Sequence, residues 1–173
     1  SSNDGTISGT YTRTEGVNGN GIKLNGSGYI NLGECFGENV RNEVTLSAWL
    51  KPDPAGDGYQ GIIMHGGPDT DTYALYIYPE TKTIGFKTSG TTSAWITVDN
   101  VNELWNGGWH HLAAVYDGTE KKIYFNNNLI AVISATGEID SGIGYNLLIG
   151  AGRDMSQPEL LYSGVMDEVK IYN

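Results

Sequence analysis

Cysteine is almost absent from this chain: Cys35 is the only one in 173 residues. An internal disulfide and a cysteine-built zinc site are therefore excluded, while a single thiol fixes no compartment. Charge is sparse at 17%, and it leans to one sign, with 20 acidic against 10 basic residues and a net charge of −10. Nucleic acids and anionic membrane surfaces attract basic patches, so neither is an expected partner. No run approaches the roughly 18 apolar residues of a membrane span, so no membrane insertion is expected. No window keeps a helical period over three turns, and no internal repeat or low-complexity linker occurs. The opening Ser1-Ser2-Asn3-Asp4 carries no signal sequence and reads as a mature end or an excised domain.

What is present points to a packed β protein. Apolar residues make up 39% and aromatics 10%, enough for a core, and 25 glycines supply turns. The apolar period is two: Val44, Leu46, Ala48 and Leu50 alternate with Thr45, Ser47, Trp49 and Lys51. Tyr73, Leu75 and Ile77 alternate with Ala74, Tyr76 and Tyr78, and Ile96 and Val98 with Trp95 and Thr97. Residues 109–116 turn apolar on both faces after their histidines, as a central strand covered on both sides does. Ile123–Phe125 and Leu129–Ile133 flank an asparagine run that reads as a hairpin, because asparagine tolerates positive φ. Leu147–Ile149 and Val165–Tyr172 complete the strands, and turn clusters such as Gly66-Gly67-Pro68-Asp69 separate them. The expectation is a single all-β domain over residues 1–173, an antiparallel two-sheet jelly-roll sandwich.

The order of these segments resembles the LamG-like (concanavalin A-like) jelly-roll family. Residues 21–32 resemble its opening hairpin, and residues 44–52 its strand ending in Trp-x-Lys-Pro. Residues 109–118, starting Trp-His-His-Leu, are similar to its most characteristic strand, and the segments from Ile123, Leu148 and Gly164 follow in family order. Asn126-Asn127 stands where the family usually has Asp-Gly. The resemblance implies a non-catalytic module, often binding carbohydrate and often part of a secreted glycoside hydrolase, lyase or adhesin; other relatives bind proteins at cell surfaces. An extracellular module of a larger protein, with a polysaccharide or glycan as partner, is thus expected.

An enzyme is not expected. Glucanases in the wider superfamily carry Glu-x-Asp-x-x-Glu, and retaining hydrolysis needs two carboxylates. Glu138-Ile139-Asp140 begins that motif, but Ile143 takes the third place. His110 and His111 are neighbours on a strand, so they point to opposite faces and cannot share one ion.

The aromatics suggest where a sugar binds. Tyr76 and Tyr78 share a face opposite Leu75 and Ile77, and Trp95 lies opposite Ile96 and Val98. Should the three meet, they form a platform for the C–H faces of sugar rings, with Lys87, His65, Asp69, Asp71 and Arg153 as hydrogen-bonding partners. The same aromatics also fit simple cross-strand packing. Trp105, in an apparent loop, is a further candidate for binding or for capping the sandwich. The resemblance implies a structural calcium held by Asp167 with oxygens near Asn25 and Gly26, and Asp69-Thr70-Asp71 is a second possible calcium loop. Anionic glycans are expected to bind less well than neutral ones, unless calcium, or Lys87 with Arg153, makes a positive patch.

Overall fold

The computed structural model describes residues 5–34, 40–67, 71–153 and 158–173; Cys35 and Asp69 lie outside them. Among the described residues fourteen strands form two sheets of seven, every neighbouring pair antiparallel. The first sheet runs β1 (Thr6–Ser8), β4 (Tyr29–Asn31), β13 (Leu147–Ile149), β6 (Gln60–His65), β7 (Tyr73–Tyr78), β8 (Thr83–Thr88), β9 (Trp95–Val98). The second runs β12 (Asn128–Ser134), β11 (Glu120–Phe125), β10 (His110–Tyr116), β5 (Val44–Pro52), β14 (Ser163–Tyr172), β3 (Asn20–Asn25), β2 (Tyr11–Glu15). The one helical element among the described residues is a 3-10 turn at Asn102–Trp105, and no helix there is long and apolar enough to cross a membrane.

The alternating residues become the core. Leu46, Ala48 and Leu50 of β5 face Leu75, Ile77, Ile84 and Phe86 of the other sheet in one cluster, all fully buried. Each large aliphatic side chain so placed contributes about 1.5–3 kcal/mol. Asn126 and Asn127 adopt φ of 48° and 66°, and this two-residue turn joins β11 to β12 as the asparagine run predicts.

Two expectations need correction. Residues 21–32 are not a hairpin: β3 pairs with β2 and β14, whereas β4 pairs with β1 and β13. The chain crosses between sheets at residues 26–28, where Gly26 has φ +76° and Gly28 lies against the Thr10 carbonyl too closely for a side chain. Strand β10 is central, but its outer residues His111, Ala113 and Val115 are only half-buried, so it is not covered on both sides.

A lysine joins the layers. Lys121 of β11 points inward and is fully buried. Its ammonium donates to the carbonyls of Thr88, Ser93 and Ala94, the last at 2.7 Å. The second sheet thereby holds the β8–β9 turn of the first. Burial pushes the ammonium pKa down to about 8.

Candidate functional site

The outer face of the first sheet is built by register. Across β6, β7, β8 and β9 one row reads Gly61, Tyr76, Gly85, Thr97, and the next reads Met64, Ala74, Lys87, Trp95. Period two sends these side chains away from the core that Leu75, Phe86 and Ile96 fill. Gly85 matters here, because the Tyr76 ring lies across it where a Cβ would collide. The ring reaches Trp95 edge-on, at 5.7 Å between centroids and 82° between planes. Trp95 remains 49% exposed.

A fourth aromatic completes the cluster. Tyr59, in the loop after β5, stacks on Tyr78 at 4.3 Å and 9°, and leans on Tyr76 at 5.6 Å. Glu80 accepts a hydrogen bond from Gly58 N at 2.7 Å, which fixes the loop in that place. Burial, with help from Tyr59 and Asp99, pushes the Tyr76 hydroxyl up to about 12. It is a neutral donor across the physiological range.

The segment after β13 forms the opposite wall. Gly61 N donates to Leu160 O at 2.7 Å, and Gly152 and Glu159 pair through their backbones, so this loop lies over the outer face of β6. Between it and Trp95 lies a cleft of about 310 Å³ lined by Tyr59, Met64, Asp71, Tyr76, Trp95, Thr97, Arg153 and Leu160. Two buried polar atoms of these residues, Asp71 Oδ1 and Arg153 Nε, make no hydrogen bond among the described residues. Such atoms are costly to bury unless something else satisfies them. Asp71 Oδ2 accepts from Lys87 Nζ at 3.3 Å, and that ammonium sits 4.7 Å from the Trp95 ring centroid.

Tyr76, Trp95, Asp71 and Arg153 therefore meet around one cleft, with Lys87 and Tyr78 at its margins. Other candidates do not. His65 is fully buried, its ring against Gly142 and within hydrogen-bond distance of Thr72 and the Tyr145 carbonyl. Its row, shared with Tyr73, is an inner one, and a polar residue type gave no hint of that. Trp105 is 7% exposed and belongs to the core cluster, because the 3-10 turn folds it inward beneath Lys82. It caps the sandwich and offers no ring to a ligand. Tyr59, Met64 and Leu160 were not among the expected residues. Of these, only Tyr59 carried a signal, as an aromatic in a glycine-rich loop.

The residues expected to share calcium do not gather. Both oxygens of Asp167 accept backbone amides: Oδ2 from Val17 at 2.8 Å and Asn18 at 2.9 Å, Oδ1 from Glu168 at 2.8 Å. Asn25 pairs with Ser163, four positions along β14 from Asp167, or about 13 Å, and its Oδ1 accepts from Ser27. The set of Asp167, Asn25 and Gly26 does not fit one ion. Among the described residues no group of three His, Cys, Asp or Glu side chains could hold a metal. His110 and His111 diverge as expected: His110 is buried, bonded to Asn106 and Asn126, and His111 lies beside Trp49 on the outside.

A sequence model described as the Concanavalin A-like lectin/glucanases superfamily matches residues 24–173. The sequence has no match among curated proteins. Domain 4 of AbnA, an extracellular GH43 arabinanase of Geobacillus stearothermophilus solved with arabinotriose, is similar in structure at a TM-score of 0.67 and 22% identity, covering 98% of this chain and 82% of that one. Domains LG4-5 of the mouse laminin alpha1 chain give 0.67 and 17%, covering 87% of this chain and 40% of that one. The binding domain of Botulinum neurotoxin DC, solved with SialylT, gives 0.67 and 12%, covering 98% and 42%. This chain thus spans less than half of the last two.

Proposed function

Because the chain belongs to the concanavalin A-like lectin/glucanases superfamily, we propose that it is a non-catalytic carbohydrate-binding module of an extracellular protein and that the cleft over β6–β9 is its glycan site. One observation carries this reading: exposed aromatic edges and unpartnered buried polar atoms line the same cleft. Trp95 and Tyr59 present ring surface to the C–H patches of a sugar, with Tyr76 as the floor between them. Asp71 Oδ1 accepts from a hydroxyl, and Arg153 Nε and the Tyr76 hydroxyl donate to ring or hydroxyl oxygens. Hydrolysis needs two carboxylates flanking the bond, and Asp71 is the only carboxylate among the described residues lining the cleft. The solved arabinanase domain with its arabinotriose supports the reading from outside the chain.

Affinity is modest, since a shallow site buries little area and hydroxyls lose water on binding. The module serves by tethering, which raises the effective concentration of a linked catalytic or adhesive domain at its polysaccharide. The test is affinity electrophoresis against neutral polysaccharides, followed by calorimetry, in calcium and in EDTA. Trp95→Ala is expected to weaken binding about tenfold, a loss of about 1.4 kcal/mol. Retardation by no polysaccharide, or unchanged binding by Trp95→Ala, overturns the proposal and leaves the protein-binding alternative.

A further inference from the structure

The cations of the cleft are already paired. Lys87 meets Asp71 at 3.3 Å, with side chains 14% and 11% exposed. At the rim, Arg153 Nη1 meets Glu159 Oε2 at 3.1 Å, with side chains 40% and 52% exposed. Two positive and two negative groups cancel, so these residues give the cleft no net charge. The Tyr76 phenol adds none at neutral pH. Around it the chain carries a formal −10.

A uronate or sulfate needs a free cation, and among the described residues both cations at this cleft, Lys87 and Arg153, have a carboxylate first. To enter, such a ligand must displace Asp71 or Glu159 and leave that carboxylate uncompensated, against the field of an acidic molecule. A ligand bearing only hydroxyls faces neither cost. The two pairs differ in strength, since the Lys87 pair is largely buried and the Arg153 pair is open to water. The backbone pairing of Gly152 with Glu159, at 2.8 and 3.1 Å, keeps Glu159 beside Arg153 and makes it the guard of the rim.

We infer that the cleft selects uncharged glycans over uronate- or sulfate-bearing ones, and that Glu159 enforces the choice by occupying Arg153. The inference rests on the carbohydrate-binding reading above. It is tested with the whole chain and its Glu159→Gln variant by affinity electrophoresis. The probes are neutral arabinan, xylan and mixed-linkage β-glucan, and acidic polygalacturonate, alginate and carrageenan. Each is run at about 20 mM and about 200 mM salt, because the higher salt screens long-range repulsion more than a contact pair. Thermal midpoints confirm that both proteins are folded.

The expected result is retardation by a neutral polymer, at least about tenfold weaker retardation by every acidic one at either salt, and at least about a threefold gain for acidic over neutral polymers in Glu159→Gln. Equal or stronger binding of an acidic polymer by the parent chain at the higher salt overturns the selectivity and leaves the carbohydrate reading standing. An unchanged acidic-to-neutral ratio in Glu159→Gln overturns the role of that residue. Binding of no polymer removes the selectivity together with the reading it rests on.

Discussion

At Gly85 a methyl group and the Tyr76 ring compete for the same space. Gly85→Ala is therefore expected to push the ring off the sheet, costing about 1–3 kcal/mol and weakening glycan binding. In a Tyr76→Ala background the same change should cost little, and a double-mutant cycle by urea denaturation checks the coupling. Two of the four tryptophans divide just as sharply. Trp95→Ala removes a half-exposed ring and should leave the urea midpoint nearly unmoved, whereas Trp105→Ala empties a core position and should cost about 3–5 kcal/mol. The pair of Tyr76 and Trp95 was legible in the sequence because period two alone assigns a face, and both lie on strongly alternating segments. Tyr59 was not, because its contact with Tyr78 depends on how a loop returns to the sheet, which has no period. His65 was misread for a related reason: residue type suggested exposure, and only the packing of residues 142–145 buries it, while for Trp105 the 3-10 turn decides for capping over binding.

Among the elements, β5, β7 and β9 announce themselves by alternation and β10 by an apolar run, but β6 and β8 do not stand out. Every residue of β6 is buried, since the loop carrying Leu160 covers its outer side, so inward and outward positions look alike. In β8 the outward positions hold Thr83, Gly85 and Lys87, and a glycine in mid-strand weakens the strand signal there. The link between β11 and the β8–β9 turn allows a test with pH. Lys121 has a pKa of about 8 in the folded chain against an ordinary 10.5, so between those values the unfolded chain holds more protons. Stability should rise with pH through that window, the desolvation penalty being fully present below it. Urea midpoints at about pH 7.5 and about pH 9.5 should therefore diverge by an amount on the order of 1 kcal/mol, a difference that Lys121→Met abolishes. At the far end of the second sheet, Asp167 ties β14 to the turn between β2 and β3 through two amides. Asp167→Ala should cost about 1–3 kcal/mol by thermal melting, equally with calcium and with EDTA, because the carboxylate acts on backbone N–H groups.

At the scale of the molecule, the class of fold follows from composition and period together, while strand order does not. Alternation says which face a residue takes but not which neighbour it meets, and the hairpin over residues 21–32 was expected from the resemblance alone. The pairing that replaces that hairpin has a temporal consequence. Ile22 pairs with Met166, 144 positions later, so β3 cannot be enclosed until β14 has been made. Partners so far apart in sequence make for slow folding, because a long loop must close before any contact rewards it. The β7–β8–β9 meander, by contrast, can form from neighbours as it is made, and it brings Tyr76, Gly85 and Trp95 together early. The wall bearing Arg153 and Leu160 comes later in the chain than this meander. The aromatic floor can thus form before its polar rim, and on the proposed reading glycan binding would report a completed fold.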